Sequence, residues 1–423
     1  MNLSTFLRRA GGVGVIGIAD RLAGLCLAVI LARWLGAQGY GQYAFVMALV
    51  LLLLIPAEFG VPDWLMRRVA QTECHQSGSI ALVKCVTITG ALGAGVAIFA
   101  SGAAFVLVRD QDLFLALIVG FCLLPLRGAL NTFGFYLRGL GRAQAAQIGH
   151  VLLPTILGLA AILLAMSALQ PMRSAQTALL FRLFAVAVSI GLVAWALRNQ
   201  LGQLRDQIHN TSLRIRDILQ GAAPFMLIGA MTRLLTRTDV IMLGLLASTT
   251  EAGIYFVALQ GALVVQFAMT VSNAITTPEF ARMHAALRID ELRKYAAMTA
   301  RSVLVVGIPI AGCLVLFGGA LLGALFGPDF AMGATPLAIL ALGHVVSSAF
   351  GAPGFLLNMT GREYTSFRIY SGLAILNIAL NALLIPIAGA TGAAIATACV
   401  LVLQNILLWI AVRNHLGFSC AVI

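Results

Sequence analysis

Apolar stretches of twenty or so residues follow one another along almost the whole chain, separated by short polar segments. A stretch of that length, wound at about 1.5 Å per residue, crosses a hydrocarbon core ~30 Å thick. In lipid, only helices and closed barrels satisfy every backbone polar group internally. A barrel needs apolar and polar residues to alternate at every second position, and these stretches do not alternate. Of the 423 residues, 61% are hydrophobic and 10% charged, against roughly 25% charged in a soluble domain. The expected fold is an all-α polytopic membrane protein.

Twelve spans are expected, over about 11–34, 41–62, 81–108, 113–137, 145–169, 177–197, 218–246, 253–277, 302–326, 332–358, 367–387 and 392–412. The basic residues test that count. With the N-terminus inside, nineteen of the 27 Lys and Arg residues fall in cytoplasmic segments or at the adjoining helix ends, and only Arg33, Arg109 and Arg173 fall outside. A missed span would invert every later loop and destroy this positive-inside bias. Trp34, Trp64, Trp195 and Trp409 all fall near expected membrane–water boundaries, as interfacial anchors do. Both termini are thus expected in the cytoplasm, with the first helix retained and not cleaved as a signal. The net charge of +12 is explained by the same loops. No basic cluster alternates with exposed aromatics, so nucleic acid is not an expected partner.

The chain also repeats. VIGIADRL at 15–22 matches LIGAMTRL at 227–234 without a gap, setting Gly17 on Gly229 and Arg21 on Arg233. At the same offset of 212, Gly41 falls on Gly253 and Tyr43 on Tyr255. A second echo, LRGLGR at 137–142 against LNMTGR at 357–362, has an offset of 220. Six spans per half is an even number, so the halves enter the membrane in the same direction and form a parallel repeat about an axis along the membrane normal. The expected organisation is an N-terminal six-helix lobe over 1–198, a cytoplasmic linker over 199–217 and a C-terminal six-helix lobe over 218–423.

Seven cysteines lie scattered without a CxxC or a Cys/His cluster, so neither a zinc site nor a disulfide framework is indicated. GVGVIG at 12–17 fits a dinucleotide fingerprint but opens a membrane helix with no strand before it. The C-terminal CAVI and the sequons at 210–212 and 358–360 are set aside: twelve helices already hold the chain, and both sequons fall on the cytoplasmic side. No cofactor and no metal are expected.

ARWLGAQGYGQYA at 32–44 resembles the signature joining the first two helices of the polysaccharide flippase (Wzx-type) family. EFG at 58–60 through Arg67 and Arg68 is similar to the end of that family's second helix, and TDVIMLG at 238–244 with AGIY at 252–255 resembles a later segment. The similarity covers most of residues 10–280. It implies a MATE-like transporter with two six-helix lobes around a central cavity, moving undecaprenyl-diphosphate-linked oligosaccharide across the bacterial inner membrane by alternating access. A polysaccharide polymerase and other assembly proteins are implied partners. The lipid II flippases of the same superfamily typically carry fourteen helices, so twelve favours the polysaccharide branch.

Arg21, Arg127, Arg182, Arg233 and Arg237 fall inside expected spans. An intramembrane arginine is costly and normally faces a cavity or a partner. Arg21 and Arg233 sit about ten residues from either helix end, roughly 15 Å, too far to snorkel comfortably. Arg233 and Arg237 are spaced i, i+4 and share a face. Guanidiniums are planar, bidentate and permanently charged, which suits a diphosphate. The plainer reading is an internal ion pair with Asp20, Glu58 or Asp239. Asp20 and Glu58 are candidates for ion coupling, with His344, although counter-ion roles for the acids and a packing role for the histidine fit equally well. Asp239 reads as structural.

The expected function is therefore transport without covalent chemistry. The alternatives are a MATE-type drug/cation antiporter, whose cavity should be acidic or aromatic, and a membrane enzyme of polysaccharide assembly. That enzyme would need an outer catalytic loop or a DxD-type metal site, and the outer loops are all short.

Overall fold

The computed structural model describes residues 3–71, 75–168, 173–198, 214–286, 288–360, 362–419 and 421. Most of the expected linker, 199–213, lies outside them, as do Cys74, Cys420 and Gly361.

Among the described residues the chain is helical throughout. Helix α1 (Leu3–Glu58) is followed by α2 (Val61–Gln71), α3 (His75–Leu107), α4 (Gln111–Phe121), α5 (Leu123–Gly139) and α6 (Ala143–Gln147). A π-turn (Ile148–Leu152) leads into α7 (Leu153–Ala168), and α8 (Ala175–Ala196) closes the first set. Then come α9 (Ile215–Leu246), α10 (Thr249–Ala285) and α11 (Ile289–Phe326). A 3₁₀ turn (Pro328–Gly333) precedes α12 (Ala334–Ala349), α13 (Pro353–Met359) and α14 (Glu363–Leu416).

These elements resolve into the twelve expected spans. The apolar runs Val15–Glu58 and Tyr364–His415 have 44 and 52 residues, about twice what one crossing needs. Each is broken once, at Gly36 (φ 70, ψ 179) and Gly389 (φ 54, ψ −132), where the backbone leaves the helix for conformations open mainly to glycine. Each therefore makes two crossings. Helices α4 and α5 form one span, as do α6, the π-turn and α7, and as do the 3₁₀ turn, α12 and α13. Helices α3, α8, α9, α10 and α11 supply the rest. The chain is an all-α, multi-pass membrane protein.

The repeat is visible in the breaks. At an offset of 212 the Gly36 break falls at residue 248, between the end of α9 and the start of α10. The second sequence echo is a shared helix cap. After α5, Arg142 N donates to Leu137 O at 2.9 Å and Leu140 N to Tyr136 O at 3.1 Å. After α13, Arg362 N donates to Leu357 O at 2.9 Å and Thr360 N to Leu356 O at 3.1 Å. The bond reaching back five residues is the Schellman arrangement, which ties down carbonyls that a helix end leaves unpaired.

The chain divides into two compact units, Met1–Arg237 and Thr238–Ile423, with the division inside α9. In the first unit the helices approach closely where glycine removes a side chain. A Cβ on Gly93 of α3 would stand 2.7 Å from the Pro125 Cα of α5. In the second, a Cβ on Gly343 of α12 would meet Ala398 of α14 at 2.9 Å. Small residues at such crossings let helices pack tightly in a membrane, where lipid tails remove the hydrophobic drive for helices to associate.

One element was not expected. Helix α1 ends at Glu58, four residues short of the expected span end. Phe59 (φ 49) and Gly60 (φ 71) then reverse the chain into α2. This short helix buries Val61, Pro62, Leu65 and Val69 and exposes Arg67 and Arg68, and Arg68 lies over the Trp64 ring at 5.5 Å.

Candidate functional site

The polar interior of the first unit is built around Glu58. The tight reversal after it leaves no space at Gly60, where a Cβ would lie 2.5 Å from both Ala222 O and Met226 N of α9. This contact docks the first half of α9 beside the end of α1. Glu58 Oε2 accepts from Arg233 Nη2 at 2.6 Å, and its Oε1 accepts from Asn131 Nδ2 of α5 at 2.5 Å. The carboxylate is 8% exposed and the guanidinium 30%, so the pair stands at the wet edge of a dry interior. Of the readings open for Arg233, the ion pair with Glu58 is the one the structure contains. Helix α9 bends by 51° between Met231 and Arg233.

Arg127 is one turn before Asn131 on the same face of α5. It is half-buried and within electrostatic reach of Arg182, Tyr43, Glu58 and Arg233. Arg182 of α8 is also half-buried. Its Nη1 donates to Pro154 O of α7 at 3.3 Å, and its Nε is buried with no hydrogen-bond partner among the described residues. Three of the five expected arginines, Arg127, Arg182 and Arg233, thus come together with Glu58 as the nearest buried acid. Arg21 is exposed on α1, and Arg237 is partly so. Asp20 lies about 100° around the helix from Arg21. It is half-buried, with Thr155 Oγ1 3.1 Å from its Oδ1.

Sequence reasoning missed a second group beside the first. Arg138, near the end of α5, places Nη2 3.3 Å from His150 Nε2 and 3.5 Å from Gln147 Oε1, and it lies over the Phe135 ring at 5.0 Å. His150 Nδ1 donates to Ala146 O, so its Nε2 is the acceptor and the ring is neutral. His150 lies in the π-turn four residues before Pro154, which has no N–H to return to the His150 carbonyl. A histidine i−4 to a proline inside an apolar run was the available signal, and so was Asn131 at i+4 to Arg127. Asp63 in α2 feels Glu58, Arg233 and Arg138. Burial pushes its carboxyl above the ordinary range, and the Glu58 charge pushes it further.

The second unit is polar in a different way. His344 is buried on α12, where Ser348 Oγ donates to its carbonyl at 2.8 Å. One turn of the same helix also carries Ser347, which accepts from Asn405 of α14 at 2.6 Å. Asp239 Oδ2 accepts from Tyr255 Oη at 2.6 Å and Thr397 Oγ1 at 2.9 Å, a buried lock consistent with the structural reading of that acid.

With this geometry in place, comparison with known proteins identifies the family. The model of the polysaccharide biosynthesis protein family matches residues 7–284. The chain belongs to that family. No curated protein sequence matches it. Among solved structures, it is similar to the inward-facing conformation of a multidrug resistance MATE family transporter of the MOP superfamily, with a TM-score of 0.74, 14% identity and 94% of each chain covered. It is also similar to the lipid II flippase MurJ in an inward closed conformation, with a TM-score of 0.71, 11% identity, and 95% of this chain and 87% of that one covered. A third likeness is to a MOP superfamily transporter from Pyrococcus furiosus described as having a binding pocket of reverse polarity. There the TM-score is 0.64 at 12% identity, covering 96% and 95%. At these identities the likeness shows a shared fold. The family match and the fold agree with the resemblance carried by residues 32–44, and the MATE-like architecture of two six-helix lobes holds.

Proposed function

We propose that this member of the family is a transporter of the flippase type, moving undecaprenyl-diphosphate-linked oligosaccharide across the bacterial inner membrane by alternating access, with both termini cytoplasmic. The observation that carries the reading is the arginine group of the first unit, where Arg127 is within electrostatic reach of Arg182 and Arg233 and Arg182 Nε is buried with no hydrogen-bond partner among the described residues. A buried cation is costly unless an anion neutralises it, and a diphosphate supplies both charge and bidentate acceptors. Arg21, which is exposed, and Arg237, which is partly so, are assigned to the approach of the headgroup.

Glu58 supplies a coupling device. A phosphate that reaches Arg233 competes with the carboxylate for the guanidinium. Glu58 is then left with Asn131 as its described partner, so headgroup arrival and the Glu58–Arg233 pair are linked. Asp20, hydrogen-bonded at Thr155, is the second acid assigned to coupling, and His344 is the candidate in the second unit. A polysaccharide polymerase and other assembly proteins are proposed partners, and the reading includes no catalytic step.

Likeness to multidrug MATE transporters favours a second reading, export of an organic cation. The two are separated in cells. Arg127→Gln and Arg182→Gln should abolish surface polysaccharide while the protein stays folded in the membrane. Intact polysaccharide with lost resistance to cationic dyes would establish the antiporter instead. Glu58→Gln should change the pH dependence of export; an unchanged profile would remove Glu58 from coupling.

A further inference from the structure

A second basic site lies in the Thr238–Ile423 unit, apart from every residue assigned above. A cavity of about 360 Å³ is lined by Arg293, Lys294, Ala297, Met298 and Arg301 of α11, and by Ser419 and Ala421 after α14. No acid lines it. The nearest acids along α11 are Asp290 and Glu291, and Glu291 is already set 3.6 Å from Arg288. Arg413 in the last turn of α14 adds positive charge just before the tail.

The site follows from how the first turns of α11 divide their faces. Leu292, Ala296, Ala300 and Val303 are buried, repeating at helical spacing. Leu292 and Ala296 share a core cluster with Phe280, Leu408 and Phe418. The tail reaches that cluster because Gly417 takes the left-handed conformation (φ 74) and turns the chain back. Phe418 plugs the core, and Ser419 Oγ then accepts from Trp409 Nε1 at 2.9 Å and from Ala421 N at 3.3 Å. The tail is thereby fixed as a wall opposite the basic face.

That basic face runs directly into an apolar one. Met298 is 57% exposed, and Val305 and Ile308, one and two turns beyond Arg301 on the same side, are 73% and 55% exposed. In a membrane-spanning helix such a stripe meets acyl chains. A soluble phosphate would use the cations alone, whereas an anionic phospholipid uses both the cations and the stripe. Basic pockets at the membrane–water boundary are suited to phosphate headgroups, each nearby Lys or Arg strengthening binding roughly fivefold. We infer that this cavity holds the phosphate headgroup of an anionic phospholipid of the surrounding membrane, with its acyl chains along Met298, Val305 and Ile308.

The test uses the full chain in nanodiscs of phosphatidylcholine containing a minor fraction of phosphatidylglycerol, with retained lipid counted by native mass spectrometry. The wild type should retain phosphatidylglycerol in preference to phosphatidylcholine. The R293Q/K294Q/R301Q variant should bind it on the order of a hundredfold more weakly, from roughly fivefold per charge. R67Q/R68Q, which removes two exposed cations from α2, should bind it normally. If the triple variant does not fold, R301Q alone should lose roughly fivefold. Three results would overturn the inference: phosphatidylglycerol retained undiminished by the pocket variants, an equal loss in R67Q/R68Q, or displacement of the lipid by millimolar inorganic phosphate, which would make the ligand a soluble anion.

Discussion

Replacing Arg233 by methionine keeps most of the side-chain volume and removes the charge. Glu58 would then stand 8% exposed with Asn131 as its one remaining partner of the two described. Stripping one member from a buried ion pair costs roughly 3–5 kcal/mol. Arg233 is 30% exposed, so water can reach the vacated place, and a cost of about 2–3 kcal/mol is expected after that discount. Glu58→Gln keeps an acceptor for Asn131 but turns an amide toward the guanidinium, costing about 1–2 kcal/mol. In the double variant neither charge is left stranded, so the loss should fall short of the sum by about 1–2 kcal/mol. Denaturant titration in mixed micelles measures all three. Additivity within about 0.5 kcal/mol would show that the two groups do not interact and would refute the argument. Export by the same variants separates stability from transport. The double variant should be folded and inactive, and restored export would reduce Arg233 to a structural counter-ion.

Other substitutions probe the surrounding scaffold. Gly60→Ala should cost several kcal/mol and cut the yield of folded protein, because a positive φ coincides with a 2.5 Å approach to the backbone of α9. Gly141→Ala, with a similar φ of 73 but open space around it, should cost only about 1 kcal/mol; equal losses at the two sites would discount the α9 contact. Asp63 has a raised carboxyl pKa in the folded protein. Folding therefore takes up a proton between the ordinary aspartate range, about 4, and that raised value, so this group's contribution to stability falls as pH rises through the window. Asp63→Asn should gain stability over the wild type as pH rises from about 4, with the difference vanishing below; a difference that does not change with pH would contradict the assignment. Tyr255→Phe removes the 2.6 Å bond to buried Asp239 and should destabilise by about 1–3 kcal/mol, measured by the same titration.

Much of the architecture could be read from local information. The twelve spans follow from run length and from where Arg and Lys are allowed to sit. The LRGLGR and LNMTGR echo was legible because a helix cap is written in consecutive residues. The site was legible only in part. Intramembrane arginines announce themselves by their cost, so Arg127, Arg182 and Arg233 could be named as candidates from the sequence. Their partners could only be shortlisted, Glu58 as one of three acids and Asn131 not at all, because the neighbours of a helix are fixed by packing across the chain: Asn131 and Glu58 are 73 positions apart and Glu58 and Arg233 are 175. Arg233 is 30% exposed and paired with Glu58, whereas its repeat mate Arg21 is exposed on α1. Helix α2 escaped notice because its eleven residues are amphipathic, a pattern hidden between two much longer apolar runs. His150 was passed over for His344 because its polar company, Arg138 and Gln147, assembles only when α5 and the π-turn pack together.

The proposal that the half-buried guanidiniums of the first unit hold an anionic headgroup is tested most directly by binding to the purified protein. Affinity for undecaprenyl diphosphate should be compared with that for the uncharged polyprenol, in the wild type and in Arg127→Gln and Arg182→Gln. The account predicts a clear preference for the diphosphate and at least a roughly tenfold loss in each variant, the size of one charge-assisted hydrogen bond. Equal affinity for the two lipids, left unchanged by both substitutions, would contradict it.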